Sequence, residues 1–66
     1  MAKSVEEICI QKIESGIRAI KNGSKTPKEA NCGFSFSKLK PLNEGMHDDL
    51  MNDYKAVMVQ YNKDNS

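Results

Sequence analysis

The chain has 66 residues, 38% of them hydrophobic and 29% charged, with a formal net charge of +1. That is one domain at most, and a domain of this size buries only about 60% of its unfolded surface, which leaves little wall for an enclosed pocket and argues against an enzyme. No run reaches the ~18 apolar residues of a membrane span, Glu6 and Glu7 interrupt any leader-like segment, and Cys9 and Cys32 lack C-x-x-C spacing, so the expected setting is the cytoplasm with reduced thiols.

The first predicted helix covers about residues 4–22. Ser4 and Glu7 fit the S-x-x-E capping box, and Val5, Ile8, Cys9, Ile13, Ile17 and Ile20 follow at steps of three and four. Asn22-Gly23 supplies the stop, because glycine enters the left-handed conformation without steric cost. With Ile10 added, the apolar arc spans about 200°, wider than one neighbouring helix covers. Gly16, with Ser15 and Ala19, forms a small-residue patch at which another backbone can come close, at a helix-propensity cost of about 1 kcal/mol.

Residues 23–43 read as a long connector. Thr26-Pro27-Lys28-Glu29 opens a short turn, about residues 27–32, with a threonine cap, proline at the first position and glutamate at the third; Gly33 is its expected end. Phe34-Ser35-Phe36-Ser37 alternates with period two, but a lone strand has no partner here, so an extended loop is expected. Pro41 breaks any helix through the region. The last helix, about 44–62, carries the stripe Met46, Leu50, Met51, Tyr54, Val57, Met58 and Tyr61 opposite Asp48, Asp49, Asn52, Asp53, Lys55 and Gln60, and a frayed polar tail, residues 62–66, follows it.

These elements predict an all-α fold. Two main helices should pack antiparallel, Ile8, Ile13, Ile17 and Ile20 against Leu50, Tyr54, Val57 and Tyr61. The surplus width of the first arc points to closure by a second copy, a homodimeric helical bundle.

The candidate chemistry is thin. Gly23-Ser24-Lys25-Thr26 looks like the end of a P-loop, but Arg18 stands where the first glycine belongs and a helix, not a strand, precedes it. Cys9, Cys32 and His47 come from three segments without the paired spacing of a zinc site. The expectation is no metal and no cofactor, Cys9 a small hydrophobe and His47 a packing residue. His47-Asp48-Asp49 cannot converge on one substrate, since helix neighbours point about 100° apart, and only Cys32, near Lys28 and Lys38, suits a nucleophile's electropositive setting.

Charge is distributed unevenly. From Arg18 to Lys40, six basic residues face Glu29 alone, a local +5, whereas five acidic residues outweigh two lysines after Pro41, a local −3. The acidic polar face of the last helix disfavours anionic lipid. Residues 26–45 loosely resemble a helix-turn-helix, although Pro41 interrupts the second helix and Ala30 sits one position off the small-residue site. Gly33-Phe34-Ser35-Phe36 resembles the G-F-x-F core of RNA-recognition and cold-shock strands, which would put the two rings on bases and Lys25, Lys28, Lys38 and Lys40 on the backbone. Alternatively the rings close one end of the helix pair.

The leading expectation is a non-enzymatic regulator or inhibitor that binds another macromolecule, by the connector (Lys25, Lys28, Phe34, Phe36, Lys38 and Lys40) or by the methionine edge of the last helix (Met51 and Met58). The second is a nucleic-acid-binding regulator using the basic connector.

Overall fold

The computed structural model describes residues 3–64, and their regular structure is four helices: α1 (Val5–Lys21), α2 (Pro27–Ala30), α3 (Cys32–Leu39) and α4 (Glu44–Asp64). α1 begins at the predicted cap with one arm of the expected box, the Glu7 N–H donating to Ser4 Oγ at 3.2 Å. It ends in a Schellman turn: Gly23 at φ 83° lets its own N–H reach Ile20 O and the Ser24 N–H reach Ala19 O. At α2 both arms of the capping box form. The Glu29 N–H donates to Thr26 Oγ1 at 3.2 Å, and the Thr26 N–H donates to Glu29 Oε1 at 3.0 Å.

The connector is mostly helix, which corrects two expectations. Asn31, at φ 49° and ψ 48°, makes the left-handed break expected of Gly33; asparagine tolerates that region better than other residues with a Cβ. Gly33 lies inside the first turn of α3, and Phe34 to Ser37 are helical rather than extended. The period-two reading gave weight to the Phe34/Phe36 alternation. The pattern that is used is Cys32, Phe36 and Leu39, spaced i, i+4, i+7 on one buried face. α3 ends before Pro41 in a tight turn in which Leu42 and Asn43 both donate to Leu39 O.

Asn43 then caps α4. Its Oδ1 accepts from the Met46 N–H at 3.1 Å and its Nδ2 donates to Glu6 Oε1 at 2.6 Å, tying the start of α4 to the first turn of α1. α4 continues through residues 62–64, expected as a frayed tail, to Asp64; Asn65 and Ser66 lie outside the described residues.

These contacts fix the path of the chain. Cys32, at the start of α3, packs against Gly16 of α1, while Asn43, just past the end of α3, bonds to Glu6. α3 therefore runs back antiparallel along α1. α4 starts beside Glu6 and lies beside Ile20 and Lys21 at Val57 and Tyr61, so it runs in the same direction as α1, and the expected antiparallel pairing of the two long helices is corrected. The return leg is made by α3, which was not foreseen as a helix.

α1 is consequently packed on both sides, by α3 and by α4, which buries Cys9, Ile13 and Ile20 and half-covers Ile10 and Ile17 but leaves Val5 and Ile8 of the wide arc exposed. The core joins Cys9, Ile13, Cys32, Phe36, Leu39 and Leu50, with Ile10, Ile17, Ala30, Met46, Met51 and Tyr54 against it. Ile8, expected inside, is exposed. Gly16 resolves as a close-approach residue, since a Cβ there would overlap Cys32 Sγ.

Candidate functional site

Two surfaces lie on opposite flanks of α1. The first is where the stripe of α4 outruns the core. Leu50 is the only buried residue of α4. Tyr54 still packs against the core cluster, but Val57, Met58 and Tyr61, one and two turns on, are half-buried outside it. Between Val57, Tyr61 and the end of α1 opens a cleft of about 650 Å³ lined by Ile20, Ala56, Val57, Gln60 and Tyr61, but not by Met58, with Lys21, Lys25, Thr26, Glu29 and Asp64 among its polar walls. Val59, 61% exposed, adds apolar surface on the same helix. The length of the helices explains the opening. At about 1.5 Å per residue α3 runs ~12 Å against ~25 Å for α1, and beyond Gly16 α1 has only α2 and α4 beside it.

The second surface is a shallower cleft between α1 and the α2–α3 junction, of about 370 Å³, lined by Lys12, Ser15, Gly16, Ala19, Lys25, Ala30, Asn31, Phe34 and Ser35. The Phe34 ring is 62% exposed, and Lys38, one turn along α3, places its Nζ 4.6 Å from the ring centroid.

The residues expected to act together are thereby divided. Phe34 and Lys38 pair on the outer face of α3, and Lys25 reaches both clefts. Lys28 and Lys40 are exposed but line neither cleft. Phe36 is withdrawn from any surface role, being buried with its ring 5.5 Å from both His47 and Tyr54 in edge-on contacts. Met51 packs against the core and Met58 stands half-buried beyond it. Lys12 and Ala56 were missed. Each is exposed on its own helix, and no spacing rule connects Lys12 to Phe34 or Ala56 to Ile20 before the path of the chain is known.

The cysteines and the histidine fall inside. Cys9 and Cys32 are buried free thiols, and burial pushes the Cys32 thiol above its ordinary pKa, the reverse of what activates a nucleophile. Burial, followed by the neighbouring Cys32, raises the Tyr54 phenol as well. His47 is a packing residue, edge-on to Phe36, with Nδ1 3.1 Å from Asp48 Oδ1. Among the described residues no three His, Cys, Asp or Glu side chains gather as a metal site, and no helix is long and apolar enough to cross a membrane. The G-F-x-F segment is helical, so its likeness to a base-stacking strand does not extend to backbone. Comparisons with protein-family models, with characterised proteins and with solved structures give no match, and the functional reading rests on the geometry of these two surfaces.

Proposed function

We propose that this chain is a small non-enzymatic interaction module, a regulator or inhibitor that works by binding another macromolecule, and that the cleft between the ends of α1 and α4 is its protein-docking surface. The observation that carries the reading is the half-covered stripe of α4 past Tyr54, beside Ile20 and open to solvent. A groove of this kind takes an amphipathic helix laid along it.

A second copy of the chain supplies such a helix in α4 itself. The polar rim of the cleft is balanced, Lys21 and Lys25 against Glu29 and Asp64, so two copies meeting there bring no like-charged surfaces together. The contact is isologous, each copy offering the same end of the molecule, and it extends a core that is small for independent stability. This basis for a homodimer differs from the one the sequence suggests, since α3 and α4 cover most of the arc of α1 and leave only Val5 and Ile8 of it exposed.

Light scattering across a concentration series tests the proposal. The expected result is a concentration-dependent dimer. Ala56→Glu returns it to a monomer with unchanged helicity, because Ala56 is exposed outside the core, lines the cleft, and a carboxylate there would be buried in the contact without a partner. A chain that stays monomeric at several hundred micromolar, or a dimer indifferent to Ala56→Glu, overturns a second copy as the occupant of the cleft and leaves it to a different protein.

A further inference from the structure

We infer that the second cleft, between α1 and the α2–α3 junction, binds single-stranded nucleic acid, with a base stacked on Phe34 and phosphates held by Lys12, Lys25 and Lys38. This is a separate activity from protein docking at the end of α4, on a different flank of α1.

Three observations converge on one ligand chemistry. Phe34 is exposed on a helix whose neighbouring apolar residues, Cys32, Phe36 and Leu39, are all buried. Its ring is therefore not part of the core, and its outward face is available for stacking. Lysines gather at its cleft: Lys12 and Lys25 line it with Phe34, and Lys38 Nζ lies 4.6 Å from the ring centroid. These lysines come from α1, from the α1–α2 turn and from α3, so folding brings together a cationic site that the sequence disperses. No acidic side chain lines the cleft itself, the nearby Glu29 carboxylate interacting with Lys25 from outside it, and Ser15 and Asn31 supply exposed neutral hydrogen-bonding groups.

An aromatic face bordered by cations matches a nucleotide, whose base is flat and apolar on its faces and whose phosphate is anionic. It matches a single strand better than a duplex, since a ring stacks only on an unpaired base. The Lys38–Phe34 contact suits exchange: the ammonium that caps the empty ring through cation–π attraction can swing to a phosphate when a base takes its place. An acidic polypeptide is the competing ligand. It would use the lysines but gain little from the ring, so the role of Phe34 separates the two.

The experiment is fluorescence anisotropy of the full chain with short labelled single strands of DNA and RNA, and with the matching duplex. Three phosphate contacts predict a log–log salt slope of about −2, or about twentyfold weaker binding from ~50 to ~200 mM salt. Phe34→Ala weakens binding by about five- to a hundredfold, and Phe34→Trp restores it. Lys12→Gln and Lys25→Gln each flatten the slope by about 0.7, whereas Lys55→Gln on the far helix leaves the slope unchanged. Phe34 lies outside the core, and circular dichroism of each variant verifies the fold. Equal binding by wild type and Phe34→Ala, equal binding of duplex and single strand, or undetectable binding at ~50 mM salt each overturns the inference. Displacement by polyglutamate together with indifference to Phe34→Ala assigns the cleft to an acidic polypeptide instead.

Discussion

The two ends of α4 meet α1 under different conditions. At the first end Asn43 is tied to Glu6, and Leu50 sits among Cys9, Ile13, Phe36 and Leu39. At the other, Ile20 is still buried, but Val57 and Tyr61, which line a cleft with it, stay half-covered. The apolar stripe of α4 runs through both ends, so the difference lies in what covers it. α3 provides the third wall at the first end and stops at the level of Gly16. An amphipathic face becomes core only where a third element reaches it, and here an eight-residue helix sets that limit.

The sharpest way to break the contrast is to delete the same kind of side chain at each end. Ile13 and Leu39 are 0% exposed. Ile13→Ala or Leu39→Ala should cost about 2–5 kcal/mol, comparable to the ~3–5 kcal/mol that a core this small supplies, and should leave the chain largely unfolded by circular dichroism. Val57→Ala, half-buried beside open space, should cost no more than about 1 kcal/mol in urea denaturation. Similar losses at the two ends would mean that the cleft is as well packed as the core.

Gly16 offers a finer test, because it sits where the two regimes meet. In an isolated helix Gly→Ala gains about 1 kcal/mol. Here the added Cβ overlaps Cys32 Sγ and touches Ala30 Cβ at 3.4 Å, so net destabilisation of about 1–3 kcal/mol is expected. Cys32→Ala removes the clashing sulfur, and the double variant should recover a coupling energy of about 0.5–3 kcal/mol. A stabilised Gly16→Ala would show that α3 does not approach α1 as closely as described.

Alkaline pH should act on the closed end. The folded state holds the Cys32 proton more tightly than the unfolded chain does, because burial raises its pKa. The stability this contributes is fully present below the unfolded thiol value, about 8.5, and is lost as pH rises through the folded value. The raised Tyr54 phenol adds in the same sense at higher pH. Urea titrations should therefore show falling stability above pH ~8.5, with a smaller fall in Cys32→Ala and an undiminished one in Val57→Ala.

What the sequence made legible follows from how local each signal is. The caps at Ser4 and Thr26, the stop at Asn22-Gly23 and the extent of α1 depend on neighbours within a few residues, and each is found in place. α3 was illegible because two turns are too short for a helical period to outweigh an alternating Phe34/Phe36 pair, and because Gly33 reads as a terminator until Asn31 is known to take that role. Without α3 as a helix, the sequence leaves only an antiparallel return for α4 and only a second copy to cover the arc of α1. The candidate surfaces suffered most. Lys25, Phe34 and Lys38 were visible as residue types, but their grouping with Lys12, and the burial of Phe36, depend on α3 lying along α1.

The smallest expected effect concerns the open end alone. The Glu29 carboxylate is held below its ordinary pKa by the Thr26 N–H, then by the Thr26 hydroxyl and by Lys25. Because its folded value is depressed, the capping box is stabilising above the unfolded carboxylate value, about 4.3, and that contribution disappears as pH falls through the folded value. Glu29 is fully exposed, so global stability should barely respond. The Thr26 amide, which donates to Glu29 Oε1, should instead report the titration by NMR, and Glu29→Ala should abolish it. α2 forms part of the cleft through Thr26 and Glu29, whereas the buried core residues belong to α1, α3 and α4, with only Ala30 of α2 packed against them. Acid should therefore loosen the rim of the cleft while the amides of Ile13 and Leu39 keep their exchange protection. Protection lost together at both sites would show that the ends unfold as one unit, and the division between a closed core and an open docking end would fail.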